Sequence, residues 1–73
     1  MRKVFKMEDL DCANCAAKME EAIKKIDGVT YASVSFIAQR LTLEADDARF
    51  DVIAKEAAKI CSRVDADCRV ILK

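Results

Sequence analysis

Cys12-Ala13-Asn14-Cys15 sets two thiols apart by two residues, with Asp11 directly before the first. A helix opening near Ala13 would leave its first backbone N–H groups without intrahelical partners. Those donors and the positive end of the helix dipole favour thiolate, the form of cysteine that binds metal or attacks disulfides. A neighbouring carboxylate adds a hard oxygen and a third negative charge. That donor set suits a divalent, borderline-soft ion better than Cu(I), which sulfur alone satisfies. The chain contains no histidine, so any metal here must be held by sulfur and oxygen.

The same spacing serves thiol–disulfide redox proteins, so a redox reading stands beside the metal reading. Proteins of the thioredoxin type present a cis-proline opposite the dithiol, and this chain has no proline. Two further cysteines, Cys61 and Cys68, lie near the C-terminal end. Cys61 borders an apolar helical stripe and reads as a small buried hydrophobe. Cys68 starts the last apolar run; it is open to a further metal-ligand role or to a disulfide with Cys61. Glu8 and Asp9 read as solvated loop charges, and either would complete a coordination sphere if an ion bridged two copies of the chain.

The elements that must position these groups follow from the pattern. Lys3 to Glu8 alternates with Phe5 and Met7 on one face, which predicts a half-buried strand. From Ala13 to about Ile26 the period becomes helical, and Ala16, Met19, Ile23 and Ile26 form one stripe. Glu20 with Lys24 and Glu21 with Lys25 are i,i+4 pairs on the other face. Gly28, the only glycine, stands where a helix C-cap is wanted. Val29 to Ile37 predicts a strand with Ala32, Val34 and Phe36 inward. A turn at Ala38-Gln39 leads to a strand carrying Leu41 and Leu43. Asp46-Asp47 opens a second helix with Phe50, Ile53, Ala57, Ile60 and Val64 as its stripe, and Cys68 to Leu72 forms the last strand. The order β-α-β-β-α-β is that of a ferredoxin-like α+β fold, a four-stranded antiparallel sheet with two helices on one face.

Size and charge narrow the function. The chain has 73 residues and reads as one domain, 1–73, of a size that buries only about 60% of its unfolded surface. Thirteen basic residues balance thirteen acidic ones, which argues against nucleic acid as a partner. The longest uncharged stretch, Val29 to Gln39, is far shorter than the roughly 20 residues of a membrane-spanning helix. With no signal-peptide pattern, a cytoplasmic domain that does not insert into the membrane is expected. Disulfides are disfavoured in such a setting.

Leu10-Asp11-Cys12-Ala13-Asn14-Cys15-Ala16-Ala17-Lys18-Met19-Glu20, followed by Ile23 to Val29 and by Val34-Ser35-Phe36, resembles the heavy-metal-associated domain. That module occurs in metallochaperones and at the N-termini of metal-transporting P-type ATPases. The resemblance covers nearly the whole chain. It implies that Cys12 and Cys15 are the metal thiolates and that Leu10 packs under the metal loop where a methionine is usual. Asp9 replaces a usual glycine. Asp11 stands where copper members carry a neutral residue and where members attached to zinc, cadmium and lead exporters often carry aspartate. The resemblance thus implies Zn(II), Cd(II) or Pb(II) in a non-enzymatic domain of a metal-exporting ATPase, with Asp11 either a third ligand or an exposed acid that favours the helix start without any metal. Met1 would then be a natural N-terminus and Lys73 a cut before the remaining domains of the transporter, with those domains or another metal-binding domain as partners. A freestanding Cu(I) metallochaperone is the alternative. Copper members often place an aromatic residue or lysine before the last strand, where this chain has Asp65 and Asp67.

Overall fold

A computed structural model describes residues 1–72; the expected domain end at Lys73 lies outside the described residues. The chain runs β1 (Arg2–Glu8), α1 (Ala13–Lys24), β2 (Val29–Ser35), β3 (Arg40–Ala45), a 3₁₀ turn (Asp47–Arg49), α2 (Phe50–Val64) and β4 (Arg69–Ile71). The strands form one antiparallel sheet in the order β2-β3-β1-β4. This is the ferredoxin-like arrangement that the periodicity predicts.

Alternation decides which sheet face is covered. Phe5 and Met7 of β1, Leu41 and Leu43 of β3 and Ala32 of β2 are buried. They meet Ala16, Met19 and Ile23 of α1 and Phe50, Ile53, Ala57 and Cys61 of α2 in one core. The Phe5 and Phe50 rings stack with centroids 6.2 Å apart. Among the described residues, no polar or charged side chain is buried. A core this thin is therefore held by apolar contact, at about 25 cal/mol for each Å² removed from water. The other face of the sheet stays open, with Val4 and Tyr31 exposed and the Arg2 guanidinium lying 4.9 Å above the Tyr31 ring.

Several local expectations are corrected. Helix α1 ends at Lys24 instead of Ile26, and its C-cap is Lys25 in a right-handed conformation. Gly28 is not that cap. It sits at φ +98° in the turn into β2, with the Ile53 Cδ1 atom 3.0 Å from where a Cβ would be. Strand β2 stops at Ser35, so Phe36 falls in the hairpin turn and is exposed. Asp46 caps the 3₁₀ turn through Ala48 N–H at 3.3 Å, and α2 begins only at Phe50. Its buried stripe is Phe50, Ile53, Ala54, Ala57 and Cys61, while Ile60 and Val64 flank the core.

Of the two expected helix pairs, Glu20 and Lys24 form an ion pair at 3.5 Å. The second Glu20 oxygen also accepts the backbone N–H of Val34 at 3.0 Å, tying α1 to the outer edge of β2. Gly28→Ala combines a left-handed backbone with crowding against Ile53. It should lower unfolding stability by about 1–2 kcal/mol, and a denaturant midpoint equal to wild type would contradict this account of the turn.

Candidate metal-binding site

The end of β1 delivers the chain to the front of α1 through Asp9-Leu10-Asp11. Asp9 adopts φ +60°, a left-handed conformation in which aspartate is tolerated better than most residues. Leu10 then turns inward and is 1% exposed, packed in the core below the loop. That matches the place its resemblance to the family assigns it. Its backbone is held from the side by Gln39. The Leu10 N–H donates to Gln39 Oε1 at 3.0 Å, and Gln39 Nε2 donates to the Leu10 carbonyl at 2.6 Å. Residue type and spacing do not announce this contact; its only trace is a hairpin turn without glycine.

Cys12 is the N-cap of α1, in an extended conformation, and its Sγ accepts the backbone N–H of Cys15 at 3.2 Å. Sulfur here fills the position that serine, threonine or aspartate usually takes at a helix start. Cys12 and Cys15 are thus an N-cap and the third helical residue after it, the same relation that a capping box uses. Both thiols are partly accessible and free. The Cys15 thiol and backbone N–H lower the Cys12 pKa by bonding to its sulfur. The same side-chain bond raises that of Cys15, because its proton is the one held between them. The pair therefore ionises in sequence, first at the capping sulfur.

The other predicted groups occupy different surroundings. Asp11 is exposed on the loop ahead of the cap. Cys61 is fully buried on α2, and burial pushes its thiol up to about 12. Cys68, just before β4, is also fully buried. Burial raises its pKa, and the charges of Asp65, Asp9, Asp11 and Cys15 raise it further. Cys68 thus remains a neutral, apolar group. Cys61 and Cys68 are free thiols. Among the described residues, no three cysteine or carboxylate side chains converge as a ready-made cage. The geometry brings together two thiols, backed by an apolar floor and bordered by acidic groups.

This arrangement can present two soft donors to an ion while leaving coordination positions open to solvent or to a partner's ligands. The family model described as the heavy-metal-associated domain matches residues 4–60, a span that includes this loop. The chain belongs to that family. Cys61 and Cys68 lie beyond the matched segment. The cadmium, zinc and cobalt-transporting ATPase of Bacillus subtilis (strain 168) is 31% identical over 65 residues, which is 89% of this chain and 9% of that protein. This chain spans less than a tenth of the length of such relatives. Among solved structures, the CopZ metallochaperone superposes with a TM-score of 0.75 at 24% identity, over 97% of this chain and 100% of that one. The N-terminal domain of a potential copper-translocating P-type ATPase from Bacillus subtilis gives 0.73 at 25% identity, over 94% of this chain and 84% of that one. Heavy-metal-associated domains are binding modules, and no helix among the described residues is long and apolar enough to cross a membrane.

The asymmetry of the thiol pair has a direct readout. In the metal-free protein, alkylation of Cys12 should reach half its limiting rate below pH 9.0, the ordinary thiol value, and that of Cys15 above it. Cys61 and Cys68 should react only after denaturation. Mass mapping of labelled peptides across a pH series checks both statements, and native labelling of Cys61 would contradict the burial described here.

Proposed function

We propose that this domain captures Zn(II), Cd(II) or Pb(II) through the Cys12 and Cys15 thiolates with Asp11 as a third donor. It then exchanges the ion with, or senses it for, a metal-exporting P-type ATPase. The observation that carries the reading is the accessible Cys12–Cys15 dithiol at the N-terminus of α1, with Asp11 one residue ahead. Thiolates supply soft ligands, and the helix end offsets part of their charge. A carboxylate supplies an oxygen of the kind that zinc-class ions accept alongside sulfur. Two thiolates and one carboxylate carry three negative charges, which a divalent ion neutralises more fully than Cu(I) does. Similarity to the cadmium, zinc and cobalt-transporting ATPase supports this choice.

The module performs no bond-breaking chemistry. Because the dithiol is accessible from one side, incoming ligands from a partner can attach before the old ones leave, so an ion can pass between sites without being released. The partner would be the remaining domains of a membrane transporter or a second metal-binding domain, acting on the cytoplasmic side. Likeness to a copper-translocating domain supports a second reading, a Cu(I) metallochaperone that uses the two thiolates alone.

Substituting Cys12 and Cys15 together with serine should abolish stoichiometric Cd(II) uptake, measured by isothermal titration. Retention of full affinity would end the metal reading. Because the bound form is the dithiolate, uptake should release protons, and affinity should fall as pH drops. Asp11→Asn should weaken Zn(II) and Cd(II) binding by about tenfold, the scale of losing a group that tunes a metal site, while leaving Cu(I) affinity nearly unchanged. Equal losses for both kinds of ion in competition titrations would remove Asp11 from the ligand role and favour the copper reading.

A further inference from the structure

We infer that Gln39 is a positioning residue for the metal loop, an inference that rests on the metal-binding reading above. Gln39 occupies the last place of the β2–β3 turn at φ +55°, a left-handed conformation that a branched or bulky residue would resist and that glycine adopts freely. In that pose its backbone carbonyl accepts the Met7 N–H at 2.8 Å, extending the β1–β3 pairing. Its side-chain amide then reaches across to Leu10. Oε1 accepts the Leu10 N–H at 3.0 Å, and Nε2 donates to the Leu10 carbonyl at 2.6 Å and to the Phe36 carbonyl at 2.7 Å. One amide therefore satisfies both backbone groups of a residue that lies beyond the last strand pairing of β1 with β3.

Two restraints thus meet two residues before Cys12. The Leu10 side chain is anchored in the core, and its peptide groups are clamped by Gln39. The left-handed turn at Asp9 lies immediately upstream. With Leu10 fixed, the chain has a single angle of entry into the cap of α1, and the Cys12 sulfur stays over the Cys15 N–H before any ion arrives. Preorganisation of this kind raises affinity by removing the ordering that binding would otherwise require. The hairpin tip beyond Gln39, where Ile37 is 93% exposed, is joined to the metal loop through the same amide.

Gln39→Gly keeps the left-handed turn and deletes the amide; Gln39→Glu keeps an acceptor and the length but loses both N–H donations. Amide hydrogen exchange, thermal unfolding and Cd(II) affinity, the last by competition with a chelator, would be measured on both variants. The expected result for Gln39→Gly is Leu10 exchange faster by about tenfold. α2 exchange and the thermal midpoint should stay near wild type, and Cd(II) affinity should fall by about tenfold. Gln39→Glu should lose affinity as well, since donation to Leu10 is gone. Unchanged Leu10 exchange would show that the clamp restrains nothing. Faster exchange at unchanged Cd(II) affinity would show that the restraint does not reach the thiols. Failure of the wild-type protein itself to bind Cd(II) would instead overturn the metal reading.

Discussion

The front of α1 is closed by sulfur. The hydrogen bond from Cys15 N–H to Cys12 Sγ begins the helix, fixes the relation of the two thiols and divides their acidities. A hydroxyl at the N-cap would start the helix at least as well, but it would bring no soft donor. Helix initiation and the proposed metal capture thus draw on one atom. The rest of the molecule keeps that atom in place: the apolar stripe of α1 seats the helix on the sheet, Leu10 seats the preceding loop in the core, and Gln39 holds the loop from the side.

The core explains why the arrangement survives in so small a domain. The buried side chains of the sheet and both helices form one cluster, and among the described residues no buried charge has to be compensated. The two rear thiols belong to this economy. Cys61 ends the buried stripe of α2 and Cys68 closes the core beside β4, both neutral because burial disfavours their ionised forms. The distinction between front and rear cysteines is one of environment: a helix terminus with solvent beside it at Cys12, and hydrocarbon around Cys61.

Much of this was legible in the sequence. Alternation at Phe5 and Met7 and again at Leu41 and Leu43, with the stripe Ala16, Met19, Ile23, fixed the covered face and so the order of elements. Phe36 misled because alternation carries no signal for where a strand stops; the hairpin turns two residues earlier and puts that ring in water. The C-cap expectation for Gly28 failed for a related reason. Helix α1 frays into a turn before the glycine, whose left-handed conformation serves the entry to β2. At the site, the two thiols and the buried Leu10 could be read from type and spacing. The contact from Gln39 could not, since it joins positions 29 apart through a side-chain amide in a conformation that glutamine seldom takes. Asp11 was identified by type alone, and its place on the open loop leaves its part in binding to chemistry.

The carboxylate of Glu20 has a bearing on how copies of this domain coexist. Strand β2 is an outer strand of the sheet, and an outer strand offers spare backbone donors to any foreign strand that drifts alongside. By occupying the Val34 donor, Glu20 blunts that border, and its ion pair with Lys24 sets charged groups beside it. A neighbouring copy is thereby denied one of the backbone donors it would need to zip onto this flank.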